Sequence, residues 1–169
     1  MNTTTSIDLR AMTQEDWPEV ARIYAEGLET GNATFQQTVP TWEEWNSGHI
    51  QSCRLIASVG KTVAGWAALS SVSSRPVYAG VAEVSVYIRK NFRGRGVGNR
   101  LMQNLIEASE KAGFWTLQSS IFRENEASIK LHEKYDFRTV GYREKVGKMN
   151  GIWRDTVIME RRSKVIGVD

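Results

Sequence analysis

Residues 83–100, Glu-Val-Ser-Val-Tyr-Ile-Arg-Lys-Asn-Phe-Arg-Gly-Arg-Gly-Val-Gly-Asn-Arg, constrain the fold of this chain more than any other stretch. Val84, Val86 and Ile88 alternate with polar residues at strand period, whereas Val97, Leu101, Leu105 and Ala108 recur at helical spacing. Gly94, Gly96 and Gly98 fall where one pattern gives way to the other, so they form a turn from strand to helix. Free N–H groups at a helix N-terminus favour a negative ligand, and glycines let it approach the backbone and permit positive φ. Arg89, Lys90, Arg93, Arg95 and Arg100 add five cations with no acid after Glu83. A diphosphate or a multiply phosphorylated cofactor suits such a cradle. The plainer alternative is a solvated basic turn between two core elements. Glycine spacing, charge and element order together weigh against it.

Three phosphate-binding patterns can be set against these residues. A Walker A loop needs a Gly-Lys-Ser/Thr ending, which the chain lacks, and the dinucleotide fingerprint meets Asn99 where its third glycine belongs. Arg93-Gly94-Arg95-Gly96-Val97-Gly98 instead resembles the Gln/Arg-x-x-Gly-x-Gly/Ala signature of the GCN5-related N-acetyltransferases (GNAT). Downstream, residues 115–122 read as a strand and residues 125–135, beginning at Asn125, as a helix, which resembles that family's second signature. The resemblance runs from near Ile7 to near Met159. It implies an α/β (α+β) fold with a mixed, mostly antiparallel, twisted sheet of about six or seven strands and about four flanking helices. Residues 75–83 joined to Ser-Val-Tyr, then Leu131-His132-Glu133 and residues 150–155 (Asn-Gly-Ile-Trp-Arg-Asp), resemble the phosphinothricin and methionine sulfoximine acetyltransferase branch, with arsinothricin as a related substrate.

The length of 169 residues suits one domain, with a core over about 7–161 and a tail over 162–169 that is expected to be mobile. Hydrophobic residues at 41% and charged residues at 24% are ordinary for a soluble globular protein. The net charge of +3 gathers around residues 89–100, which argues for a phosphorylated small ligand and against nucleic acid. One cysteine permits no intramolecular disulfide and fits a cytoplasmic protein, and no apolar run approaches a membrane span. The same cysteine and two distant histidines give no metal-ligand cluster.

Along the chain, residues 7–12 read as a strand, and Asp16 with Trp17 and Pro18 opens a helix. A capping box over residues 41–44 opens a second helix, and residues 55–59 and 62–70 pair as a hairpin. A helix over 98–112 and a final pair of strands over 138–143 and 153–161 complete the order.

Acetyl transfer to an amine needs a neutral amine, a positioned thioester and a proton for the departing thiolate. The resemblance makes Glu83 the general base, acting through water. Its plain alternative is a surface glutamate on an edge strand. His132 sits where the wider family often carries a tyrosine near the coenzyme A sulfur; as imidazolium, or relaying from solvent, it can protonate the thiolate, or it can simply be a packed helix histidine. The resemblance gives the pantetheine to the main chain of Val86, Tyr87 and Ile88 and to Asn125, and the diphosphate to Arg93, Gly94, Arg95, Gly96, Val97 and Gly98, with Asn99 following. Lys134 either approaches the 3′-phosphate or faces solvent. Arg75 can hold a carboxylate or phosphinate in a bidentate pair. The resemblance places it in the substrate site with Tyr78 and a wall from Phe35, closed by Trp153 and Val157 across the boundary of a homodimer. His49 reads as structural or exposed, and Cys53 as a packing residue.

The implied reaction is acetyl transfer from acetyl-CoA to the α-amino group of a small glutamate-like amino acid, in detoxification. Two other readings stay open: an acetyltransferase for protein N-termini or lysines, and a non-catalytic coenzyme A sensor. At Asp136 the family more often has glycine at positive φ, a conformation aspartate tolerates better than most residues.

Overall fold

The computed structural model describes residues 6–169. Seven strands, β1 (Ile7–Ala11), β2 (Leu55–Val59), β3 (Thr62–Ser71), β4 (Val81–Ile88), β5 (Thr116–Phe122), β6 (Arg138–Met149) and β7 (Ile152–Arg162), form one sheet in the order β1-β2-β3-β4-β5-β7-β6. Every neighbouring pair is antiparallel except β4 with β5. Helices α1 (Trp17–Glu29) and α2 (Trp42–Gly48) cover one face, and α3 (Val97–Lys111) packs on the other, with α4 (Glu126–Lys134) following β5. The mixed, mostly antiparallel sheet with four helices is the fold the sequence implied.

The first face is built from aromatic rings. Trp66 of β3 and Tyr87 of β4 stack at 4.8 Å, Tyr24 of α1 stacks on Tyr87 at 5.0 Å, and Trp45 of α2 meets Trp66 edge-on at 5.5 Å. α1 comes this close because Gly27 faces Tyr87: a Cβ at Gly27 would lie 2.7 Å from the ring. The second face is aliphatic, with Leu101, Met102 and Leu105 of α3 against Ala67, Leu69 and Val84. Asp136 takes the expected positive φ, 64°, after α4.

One expectation is corrected. The final hairpin is longer than residues 138–143 and 153–161, because register shifts within β6 let it run on to Met149, where Asn150 and Gly151, both at positive φ, make the turn. The tail is folded back: the Arg162 guanidinium donates to the carbonyls of Trp115, Ser163, Ile166 and Gly167, and Ser163 Oγ accepts from the amides of Val165 and Ile166.

Candidate active site

The site begins where two strands part. β4 stays paired with β3 through Ile88, but with β5 it pairs only at Val81, Ala82 and Glu83, after which β5 runs on beside β7. The Arg89 amide donates to the Ala64 carbonyl at 2.8 Å, which fixes the alternation of the β3–β4 ladder. Ser85 and Tyr87 exchange their main-chain bonds with β3. Val86 and Ile88 turn theirs toward the gap, and the Ile88 carbonyl is met there by Arg93 Nε at 3.3 Å. An extended amide ligand can therefore add along Val86 and Ile88, while the Tyr87 main chain is already committed.

At the end of this edge, Gly94 and Gly96 have φ of 71° and 85°, and no side chain caps the α3 amides. A Cβ at Gly94 would meet nothing within 4 Å, so the approach is open. Gly98 is a glycine for a different reason: a Cβ there would lie 3.3 Å from Leu131 of α4. The cations also divide. Arg89 forms an ion pair with Glu19, and Lys90 bonds Glu26 through its amide at 2.6 Å, whereas Arg95 lies over Phe92 at 5.0 Å. The open glycine turn, the free helix amides and the unpaired strand edge fit a diphosphate joined to an extended amide chain.

Asn125 caps α4, its Oδ1 accepting from the Ser128 amide at 3.2 Å, and its Nδ2 donates to the Asn32 carbonyl at 3.1 Å. Both ends of the amide thus serve the protein. His132 is buried, with Nδ1 donating to the Ser128 carbonyl at 2.7 Å, so Nε2 carries the lone pair and has no partner among the described residues. Burial holds this imidazole below its ordinary pKa against the pull of the Ser128 bond. Tyr135 reaches Asn99 Oδ1 at 3.4 Å, and exposed Lys134 lies over the Tyr135 ring at 5.9 Å.

On the face of α1 and α2, a cleft of about 540 Å³ is lined by Tyr24, Glu44, His49, Ser70, Ser85 and Tyr87 among others. Burial pushes both phenols up. Glu83 lies beside this cleft, directly across the ladder from Ser70, and its Oε2 accepts from Gln118 Nε2 on β5 at 3.3 Å. Arg75 stacks over Tyr78 at 5.4 Å in the loop before β4, both exposed. Phe35 packs edge-on against Phe122 at 4.7 Å and against Gly147, while its neighbours Thr34 and Gln36 line the cleft. Trp153 is exposed near the β6–β7 turn, and Val157 packs into the α3 side of the core; neither lines the cleft.

Sequence reasoning missed Tyr24, Ser70, Ser85 and the placing of His49, which converge only through tertiary packing. It also missed Arg154, which donates to the Gly31 carbonyl at 2.9 Å and Asn32 Oδ1 at 2.7 Å and so ties β7 to the loop after α1. Among the described residues no group of three or more His, Cys, Asp or Glu side chains is placed to hold a metal ion, and no helix is long and apolar enough to cross a membrane.

A sequence model of the acetyltransferase (GNAT) family matches residues 9–137. The chain belongs to the GNAT family. It is an acyltransferase, similar to enzymes of the phosphinothricin and methionine sulfoximine branch. The phosphinothricin N-acetyltransferase of Alcaligenes faecalis is 30% identical over 159 residues, 90% of this chain and 81% of the relative. The L-methionine sulfoximine/L-methionine sulfone acetyltransferase of Pseudomonas aeruginosa is 27% identical over 161 residues, 92% of this chain and 94% of the relative. The GNAT phosphinothricin acetyltransferase of Sinorhizobium meliloti, solved in complex with acetyl-CoA, has a TM-score of 0.85 at 26% identity, covering 96% of this chain and 91% of that one.

Proposed function

We propose that this GNAT enzyme moves the acetyl group of acetyl-CoA to the α-amino group of a small glutamate-like amino acid of the phosphinothricin, methionine sulfoximine or sulfone, or arsinothricin type, by direct attack in a ternary complex. The observation that carries the reading is the parting of β4 from β5 after Glu83, which sets an open main-chain edge and anion cradle beside a separate cleft. Acetyl-CoA, when bound, supplies an activated thioester carbonyl. Val86, Ile88 and the amides after Gly96 hold it, with Arg93 and Arg95 near the diphosphate.

Glu83, held by Gln118 beside Ser70, receives a proton from the incoming ammonium group through water. His132 is neutral, so passing a proton to the leaving sulfur begins with uptake of one at Nε2. The cleft lining contains Glu44 but no arginine or lysine, so the cation for an anionic substrate group comes from outside that lining, and exposed Arg75, stacked on Tyr78, is the residue assigned to it. The same cation-free lining favours, as a second reading, a peptide N-terminus as acceptor.

Detoxification in the cytoplasm is the role this activity suits. A homodimer suits the exposed outer hairpin, where Val140, Tyr142, Ile152 and Trp153 are uncovered. The test is acetyl-CoA-dependent thiol release with phosphinothricin, methionine sulfoximine, methionine sulfone and arsinothricin beside ordinary amino acids and a peptide. Saturable turnover of one analogue is expected. Turnover of the peptide alone supports the second reading, and coenzyme A binding without turnover overturns both.

A further inference from the structure

His49 takes no part in the mechanism above, yet its surroundings are those of a working base. Its Nδ1 lies 2.7 Å from the Trp45 carbonyl, which can only accept, so Nδ1 carries the proton and Nε2 the lone pair. The ring stacks on Trp45 at 4.1 Å with an interplanar angle of 18° and meets Trp66 edge-on at 6.4 Å. Arg54, itself buried, fixes the backbone around it by donating to the His49 and Ile50 carbonyls, each at 2.8 Å, and to Asn46 Oδ1 at 2.6 Å. The imidazole lines the cleft, and Nε2 has no hydrogen-bond partner among the described residues.

Its position relative to Glu83 follows from the sheet. The Ile50 amide donates to the Leu69 carbonyl at 2.8 Å, which sets His49 alongside the end of β3. Ser70, next on that strand, is paired with Glu83 on its other side. His49 and Glu83 therefore flank Ser70, on the order of 10 Å apart by strand spacing.

We propose that His49 is a second catalytic base in the acceptor cleft, its Nε2 accepting an N–H of the incoming ammonium group. This rests on the amine acetylation proposed above. The substrate nitrogen enters as –NH₃⁺, forms the N–C bond as the C–S bond of the thioester breaks, and leaves as an amide N–H. It therefore loses two protons. One passes to His49 Nε2 and on to water; the other passes to Glu83 and on to water, while the coenzyme A sulfur takes its proton from His132, which draws one from water at Nε2. Burial first, and the neighbouring Arg54 charge, hold the imidazole below its ordinary pKa against the Trp45 bond, so it is neutral and able to accept near pH 7. Arg54, Glu44 on the α2 wall, Glu83 beyond Ser70, and the Tyr24 and Tyr87 phenols are the titratable groups around it. At acid pH the ring charges, loses its lone pair and repels the ammonium group.

His49→Gln keeps a neutral acceptor but cannot take up a proton. We expect kcat with the best amine to fall roughly 10- to 100-fold, the KM for acetyl-CoA to stay the same, and the acidic limb of the pH profile to move. Unchanged kcat/KM and an unchanged profile would overturn the proposal. NMR of wild-type protein labelled with ¹⁵N in its imidazoles tests the same atoms without turnover. The expected state is an Nδ1–H tautomer titrating below 6.5; an Nε2–H tautomer, or titration as in free solution, would overturn it. Failure of every amine in the wild-type assay counts against the proposed function, while the tautomer still decides the proposal for His49.

Discussion

The central pair of strands and the outer pair are made on opposite terms. β3 is buried on both faces from Ala64 to Leu69, and β4 beside it carries Glu83, the cleft floor and the open edge. β6 is exposed along nearly its whole length, with Tyr142 60% and Val140 49% exposed. The centre has alternating small and large side chains with no room to spare, so its backbone can hold groups in fixed register for chemistry. The outer hairpin keeps its register through main-chain pairing to β5 and tolerates shifts, which suits a surface for another copy rather than a reaction centre.

One cross-strand row tests this contrast most strongly. Ser70, Glu83, Gln118, Glu160 and Arg138 occupy successive strands at one level of the sheet. Glu83→Gln at the centre should lower the rate on the order of 10² to 10⁴ near neutral pH while coenzyme A still binds. Glu160→Gln, whose Arg138 partner is exposed, should change it less than about twofold. Steady-state kinetics that rank the two equally would dissolve the distinction.

Glycine-to-alanine changes give the next largest contrast. A Cβ at Gly65 on β3 would lie 2.8 Å from the Tyr87 carbonyl and 3.0 Å from Leu101, so the change should cost about 1 to 3 kcal/mol. At Gly141 on β6 nothing lies within 4 Å, and alanine should stabilise by roughly 0.5 kcal/mol. Urea unfolding of the pair reads both signs.

Acid should weaken the interior before the surface. Burial keeps His49 and His132 below the ordinary 6.5, so the unfolded chain binds more protons than the folded one as pH falls beneath that value. Stability is unaffected above 6.5 and declines below it. Asp16, lowered chiefly by its Arg10 hydrogen bonds, adds its own loss only as pH falls below the ordinary 3.8. Melting curves between about pH 7 and pH 5 should flatten in His132→Gln; an unchanged slope would assign the decline elsewhere. The smallest expected effect is on the outer hairpin, where Tyr142→Lys should shift monomer stability by less than about 0.5 kcal/mol. Light scattering should nonetheless halve the particle mass, and a wild-type protein already monomeric would end the dimer proposal.

The cradle was legible because its signals are local: Gly94 and Gly96 need positive φ, and Val97, Leu101 and Leu105 set the helix that follows them. Asp136 was legible for the same reason. Gly98 was placed correctly but for a different cause, since its close neighbour, Leu131, is far along the chain. The cleft was not legible. Tyr24, His49, Ser70 and Ser85 lie on four separate segments, and only the alternation of the β3–β4 ladder and the seating of α2 bring them together. The contacts of the tail were not legible because the Arg162 guanidinium bonds mainly to carbonyls, which every residue supplies and no composition reveals.

The short junction at residues 81–83 gives the sheet an unfinished rung, with four strands on one side and three on the other. A ligand that lays an amide chain along Val86 and Ile88 becomes, in effect, a transient strand of the protein. Occupancy should therefore register as solidity: slower hydrogen exchange at those two amides, and a fold more resistant to heat in proportion to the logarithm of ligand concentration.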